Sequence, residues 1–374
     1  MLAKKEKHAV TTYKYKMYRS KKLRHLDRLI DYHCEVYNYC IALHRRYYKM
    51  YHKHLSANKL KVHLTKVRKR PGKEHWRELG SQSIQDVVER IERSYDAFFD
   101  AKREHRSGRH SIPHFCKREN YSSFTLKQAG YKFHDGNHIT ILGMDYKYVA
   151  HRPYEGTIKT VSIKRDNCGD FWLCIVCAKP ASEIEPREGN AIGYDFGLKT
   201  FLTGSDGSRI ESPRFFEQNA AALRSAQRVL SRKQKGSTNR CRAKLDVARK
   251  HRCVKNCRRD WFFKRAADIS DQYSDVCIED LDIKAMQQRW GRKVSDYAFS
   301  EFVGILRHRL DKTGGQLHEV DRYFPSSKTC SHCGHVVKEL ALDIRQWECP
   351  ACGTMLDRDE NAAMNILVEG MKYA

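Results

Sequence analysis

The chain has 374 residues, a length that at roughly 100–200 residues per domain gives about two to three domains and room for a real core. Hydrophobic residues at 40%, charged residues at 31% and aromatics at 11% exclude a disordered tail, and the low Gly 21 and Pro 8 exclude collagen and Pro-rich linkers. Lys+Arg 71 against Asp+Glu 45 leaves a net charge of +26, which repels itself unless an anion screens it, so nucleic acid and anionic membrane are the candidate partners.

No apolar run approaches the ~18–20 residues that span a bilayer, so no membrane partner is expected and nucleic acid is favoured. The start, MLAKKEKHAVTTYKYK, lacks the apolar core of a signal peptide. The 14 Cys are too sparse for a disulfide scaffold of this size. The expected setting is therefore reducing and cytoplasmic, with the protein nucleoid-associated.

In chain order, residues 8–18 alternate, with Tyr13, Tyr15 and Met17 on one side, and read as a strand. Leu23, Leu26, Ile30, Cys34, Tyr37 and Ile41 then recur at helical spacing, which predicts an amphipathic helix over 22–54. After a Pro71-Gly72 break, Ser83 with Asp86 has the form of a capping box, and Ile84, Val87, Val88, Ile91, Tyr95 and Phe98 mark a second helix. From about 110 the pattern turns to strands, including a hairpin about Asp166-Asn167-Cys168-Gly169 with a return strand from Phe171 to Ala178. The first strand and this region could form one β-barrel with the helices inserted between them. A third unit starts near Gly189. It has a strand Ala191 to Asp195, a hairpin about Asp206-Gly207, helical stretches about 217–234 and 238–273, a strand Asp275 to Leu281, a helix about 297–312 and a strand about 316–321. That order is α/β.

The spacing Cys330-x2-Cys333-x15-Cys349-x2-Cys352, each pair followed by Gly, lies in the zinc-ribbon range. Two such knuckles close a four-sulfur cage around one Zn2+ with no open position, so the metal is structural. Cys174 and Cys177 lie three apart on a predicted strand, face opposite sides and cannot chelate one ion alone. Cys253 and Cys257 sit i, i+4 on a helix near His251, a weak metal signal against which buried or bland cysteines are the better reading.

Asp195 and Glu279 each end an apolar strand, where a carboxylate is costly unless paired or metal-bound. Two unit negative charges ~4 Å apart repel by about 4 kcal/mol at an effective dielectric of 20, and a divalent cation reverses that sign. Each acid alone also reads as a strand-end turn or cap residue. Asp357-Arg358-Asp359-Glu360-Asn361-Ala362-Ala363-Met364-Asn365 reads as a helix start with acids at its favourable end, and the residues do not say which acid matters.

Residues 224–265 hold 16 Lys/Arg against two Asp, interrupted by Trp261, Phe262 and Phe263, and read as phosphate-contacting. Residues 44–77 add 12 Lys/Arg against one Glu, with Tyr47, Tyr48, Tyr51 and Trp76 among them, a composition that suits backbone tracking and base stacking. A helix-core role fits Tyr47 and Tyr51 equally well. The candidate nucleic-acid contacts are Arg228, Arg232, Lys233, Lys235, Arg240, Arg258, Arg259, Lys69 and Arg70.

Several motifs follow one another in a set order: Gly193-Tyr194-Asp195-Phe196-Gly197, Ser212-Pro-Arg-Phe-Phe, Gln227 to Arg240, Ile278-Glu279-Asp-Leu, Pro325-Ser-Ser-Lys-Thr-Cys330-Ser-His-Cys-Gly and Asp357-Arg-Asp-Glu-Asn-Ala-Ala363. In that order the chain resembles the TnpB family, transposon-encoded relatives of the type V CRISPR effectors. The likeness is strong over roughly 190–370 and looser before it, through Ser111 to Lys117 and the helix at 81–99. Two departures, Phe263 where the family often has His and Tyr194 where Ile is common, do not touch the acids.

The resemblance implies an RNA-guided DNA endonuclease with a RuvC, RNase H-like nuclease domain. It implies Asp195, Glu279 and Asp359 as the catalytic metal triad, holding two Mg2+ ions about 3.5–4 Å apart. It also implies a guide RNA from the transposon end, paired with one strand of a double-stranded target DNA. The expected architecture is a multidomain α/β chain. A split β-barrel (wedge) domain occupies 1–21 and 107–186, and an inserted helical recognition domain 22–106. A split RuvC-like domain occupies 187–325 and 354–374, and a zinc ribbon 326–353. Two alternatives share this build: a nuclease-dead RNA-guided DNA-binding repressor, which should have lost acids, and an RNase H-like transposase that joins DNA ends. Nothing in the sequence gives the oligomeric state.

Overall fold

Alternation in the first segment makes β1 (His8–Lys16), whose Tyr13 and Tyr15, with the following Met17, are buried in the core of the first unit. The computed structural model describes residues 8–104, 111–180, 185–197, 200–211, 213–281, 288, 291, 298–341 and 343–373. They fall into two compact units, Met1–Ser182 and Glu183–Ala374.

In the first unit the 3.6-residue period produces α1 (Leu23–Tyr51), which buries Leu26, Leu29, Ile30, Cys34 and Ile41 as the spacing predicts. Two elements that sequence reasoning passed over follow it: α2 (Ala57–Val67) and a 3-10 turn, Glu74–Leu79. Trp76 in that turn is fully buried, so it belongs to the core and is no base-stacking platform. The expected capping box is also absent. α3 (Ser81–Arg103) starts two residues before Ser83, whose hydroxyl donates back to the carbonyls of Leu79 and Gly80, while Asp86 pairs with Arg90 at 2.6 Å. The entry is made by Gly80 at φ 71°, a left-handed conformation that replaces a side-chain cap.

β2 (Ser123–Leu126), β3 (Tyr131–Phe133), β4 (His138–Ile141), β5 (Met144–Lys147), β6 (Thr157–Arg165) and β7 (Phe171–Pro180) complete the unit. A four-stranded sheet runs β1-β7-β6-β2 and a three-stranded one β3-β4-β5, with a bridge between Met17 and Tyr148. β1 therefore pairs with β7, far along the chain, with the helices between them in sequence. Cys177 is buried and Cys174 half-buried, on alternating positions of β7.

The second unit is built on a five-stranded sheet, order β10-β9-β8-β11-β12. Its strands are β8 (Asn190–Asp195), β9 (Leu202–Gly204), β10 (Arg209–Ile210), β11 (Tyr273–Glu279) and β12 (Gln316–Val320). β8, β11 and β12 are parallel, and β9 and β10 fold back antiparallel. Between them run α4 (Phe215–Ser231), α5 (Thr238–Gln272) and α6 (Phe299–Thr313). One sheet face buries Ile192, Tyr194, Val276 and Ile278 against Phe262 and Ile269 of α5 and Phe299, Phe302 and Leu306 of α6. Cys277 points the other way, with Val320 and Ile366, under the last helix, α7 (Arg358–Gly370). β13 (Gln346–Glu348) and β14 (Met355–Asp357) form a small hairpin that carries the second Cys pair and leads straight into α7. Among the described residues no helix is long and apolar enough to cross a membrane.

Candidate metal sites and nucleic-acid interface

Strand register brings the first two acids together. Ile278 pairs with Tyr194 in the parallel β8–β11 ladder, so Asp195 and Glu279 leave the sheet at the same end of adjacent strands. Burial lifts the Asp195 carboxyl to about 7, helped by the charge of Asp359 and opposed by Arg358 and Arg345. Burial likewise lifts Glu279 to about 7, with the charges of Asp195 and Asp280 adding to it. Neither has a basic side chain bonded to it among the described residues. A cleft of about 240 Å3 lined by Phe196, Glu279, Asp280, Phe299 and Arg307 opens beside them.

Three further acids stand at the start of α7, and their partners differ. Asp357 is the N-cap: its carboxylate accepts from the backbone N–H of Asp359 at 3.0 Å and of Glu360 at 3.1 Å. Arg209 pairs with Asp357 at 3.2 Å and with Glu360 at 3.0 Å. The charge of Asp359 helps to raise the Asp195 pKa. The Asp359 carboxylate oxygens accept from Arg345 at 2.9 and 2.7 Å. Gly193 allows the approach of α7: a Cβ there would run into the Ala363 carbonyl oxygen and stand 2.7 Å from Leu367 N.

The four cysteines form a second, separate centre. Cys330 and Cys352 stand 3.8 Å apart at sulfur and Cys333 and Cys349 3.6 Å. A Zn–S bond of about 2.3 Å in a tetrahedron puts neighbouring sulfurs about 3.8 Å apart, so the cluster fits zinc with no open position. Among the described residues it is the one group whose ligand atoms all lie within 4.8 Å of one another; the three carboxylates make a looser array. Their hard oxygens and mutual repulsion nonetheless suit a hard divalent cation such as Mg2+. Cys253 and Cys257 are exposed rather than buried, and they join no such group among the described residues.

The cationic candidates divide. Arg228, Arg232, Lys233 and Lys235 are exposed around the end of α4, and Lys69 and Arg70 are exposed after α2. Arg240, by contrast, closes the α4–α5 turn, its guanidinium donating to the carbonyls of Leu230 at 3.0 Å and Lys233 at 2.9 Å. Arg258 and Arg259 both pair with Glu301, and Arg259 also stacks on Phe263. Phe262 is buried and Trp261 packs on Phe201, so of that aromatic run Phe263 is the ring left half-exposed. Tyr51 is exposed and stacks on the half-buried Tyr47 with centroids 4.7 Å apart.

Sequence reasoning missed Arg345, Arg209 and the asparagine pair Asn361 and Asn365, both buried in α7. The i, i+4 spacing of the two amides on an otherwise apolar helix face was the available signal.

A cationic mixed α/β chain with acids at adjacent parallel strand ends and a four-cysteine cluster before its last helix is thus the class that fold and site define. Residues 174–289 match the OrfB_IS605 family model, described as "Probable transposase", and residues 299–366 match the Cas12f1-like TNB domain. A Streptomyces pristinaespiralis protein is 31% identical over 79% of this chain and 72% of its own length. InsQ of Escherichia coli strain K12 is 26% identical over 90% and 86%. Both bear the name "Putative RNA-guided DNA endonuclease". The chain belongs to the TnpB family. Its fold is similar to that of Cas12f1 solved as an sgRNA–target DNA complex, at 13% identity, with 96% of this chain and 98% of that one covered and a TM-score of 0.60.

Proposed function

We propose that this chain is an RNA-guided, metal-dependent DNA endonuclease in which Asp195, Glu279 and Asp359 form a RuvC-type, RNase H-like acid site. The observation that carries the reading is the pair of carboxylates at the same end of adjacent parallel strands, each lifted to about 7 by burial and by acidic neighbours, Asp359 of α7 being one of those that act on Asp195. Two Mg2+ ions bound there would activate a water against the phosphodiester and stabilise the leaving oxygen. Asp195, Glu279 and Asp359 would hold the cations through their carboxylate oxygens. Asp195 and Glu279 would shed their protons as the cations arrive, and Arg345 would give up Asp359.

The rest of the chain would hold nucleic acid. Arg228, Arg232, Lys233, Lys235, Lys69 and Arg70 would contact phosphates of a guide RNA from the transposon end and of the double-stranded target, which puts the protein's work at the nucleoid. We read the two sheets of the first unit as the wedge barrel, 1–21 and 107–186, and the helices at 22–106 as the recognition domain. The nuclease domain would be 187–325 with 354–374, and the zinc ribbon 326–353.

Purified ribonucleoprotein should cut a matching duplex in Mg2+, and Asp195→Asn should abolish cutting while RNA and DNA binding persist. An Asp195→Asn protein that cuts as well as the parent overturns the assignment. The OrfB_IS605 description favours the transposase as second reading, and joined DNA ends formed without RNA would support it. Target occupancy by the parent with no nicking would support the repressor.

A further inference from the structure

The zinc ribbon touches α7 through the backbone of its own first knuckle. Asn361 Nδ2 donates to the Thr329 carbonyl at 2.7 Å, and its Oδ1 accepts from the Ser331 N–H at 2.8 Å. One turn on, Asn365 Nδ2 donates to the carbonyls of Ser326 at 2.8 Å and Thr329 at 2.6 Å. Thr329 and Ser331 flank Cys330, and Asn361 stands two residues after Asp359. Both amides are nearly inaccessible, at 1% and 7% exposure, so neither can exchange its knuckle partner for water without the helix and knuckle parting. The ribbon's other arm holds the same helix start. β14 runs into it without a linker, and the Arg358 N–H donates to the Arg345 carbonyl at 2.7 Å. The start of α7 is thus gripped from two sides by a module whose own core is small: Cys330, Cys349 and Trp347, with the half-buried Val337, Leu340 and Leu356 packed on them.

We propose that zinc occupancy of the ribbon and divalent-cation binding at the acid site are coupled, with Asn361 and Asn365 as the positioning residues that carry the coupling. The inference rests on the Asp195–Glu279–Asp359 reading and deepens it. Zinc fixes the knuckle, the knuckle fixes the two amides, and the amides fix the turn of helix that presents Asp359. Coupling of this kind is reciprocal: the factor by which zinc strengthens the second cation is the factor by which that cation strengthens zinc.

The test uses the full chain and Mn2+ as the probe cation. Mn2+ affinity is read by electron paramagnetic resonance with and without zinc, and zinc affinity by equilibrium dialysis of labelled zinc with and without saturating Mn2+. Both affinities should change by the same factor, about tenfold, within the range of measured couplings. In Asn361→Leu/Asn365→Leu both ions should still bind and the factor should fall toward one, with each single substitution in between. Should the double variant fail to fold, the reciprocal measurement on the parent decides alone. Zinc affinity indifferent to Mn2+ in the parent, while Asp195→Asn still loses Mn2+, overturns the coupling and leaves the acid site standing. Mn2+ binding unchanged by Asp195→Asn overturns the acid-site reading itself, and the coupling with it.

Discussion

Replacing Gly193 by alanine should separate folding from cutting. The new Cβ would run into the Ala363 carbonyl oxygen and lie 2.7 Å from Leu367 N and 2.9 Å from Leu367 Cβ. Two of the three obstacles are helix backbone, which cannot rotate aside as a side-chain tip can. Restoring an ordinary 3.4 Å contact requires α7 to retreat by about 0.7 Å at Leu367 and further at Ala363. Overpacking of this size costs about 1–3 kcal/mol, a melting-temperature loss of roughly 2–10 °C for a unit of this length. The chain should remain folded at 25 °C. Asp359 sits one turn before Ala363 on the same helix, and a misplacement near 1 Å costs about 100-fold in rate at a positioned site. The assay is the initial rate of cutting of a matching duplex at saturating guide and Mg2+, with circular dichroism at the same temperature to show that the protein is folded. A folded Gly193→Ala protein that cuts within threefold of the parent would mean that the seat of α7 on β8 does not set Asp359, and the geometric argument would fail.

Four further outcomes are expected. Changing Arg228, Arg232, Lys233 and Lys235 together to alanine should flatten the dependence of log affinity on log salt by about 3, whereas Arg240→Ala should leave the slope alone and loosen the α4–α5 turn; an unchanged slope in the quadruple variant removes α4 from the interface. Burial holds His33 near 4 against 6.5 when unfolded, so its contribution is whole above about pH 6.5 and is lost as pH falls toward 4, by at most about 3 kcal/mol. Urea unfolding of His33→Leu should therefore show a flatter stability curve over that window than the parent. Without added metal, Asp195→Asn should melt higher than the parent at pH 8, because the raised carboxyl pKa penalises the folded state increasingly from about pH 4 up to about 7; the gain should vanish below pH 4. Arg345→Gln should tighten Mn2+ binding by no more than about fivefold, since its pair with Asp359 is a surface ion pair and such pairs contribute about 0–1 kcal/mol; a fiftyfold change would show that the pair is a true lock.

The strand-end acids were legible because burial and charge conflict at a single residue: an apolar strand that stops on Asp195 or Glu279 states its own problem. The four-cysteine cluster was legible because chelation demands a spacing that packing does not. Asp359 was not separable from Asp357 and Glu360 by residue type, since any of them can cap a helix; in the structure Asp357 takes the cap, Arg209 pairs with Asp357 and Glu360, and Arg345 pairs with Asp359. The basic segments misled in the opposite direction. Trp76 sits among cations in sequence yet is fully buried, and Arg240 spends its guanidinium on two carbonyls. Net charge reports a surface; it does not report which side chains the surface keeps.

In the site proposed above, Asp359 is held differently from the other two acids. Asp195 and Glu279 are fixed by neighbouring hydrogen-bonded strands, so their separation follows from the ladder itself. Asp359 belongs to a helix, seated on that sheet at Gly193 of β8 and by Ile366 and Leu367 against Cys277 and Val320. The cysteine ribbon adds holds on its first turns from outside the sheet. The hairpin of β13 and β14 leads into its start and the Cys330 knuckle bonds Asn361 and Asn365, so on the coupling proposed above the ribbon would fix α7 at two points along its length.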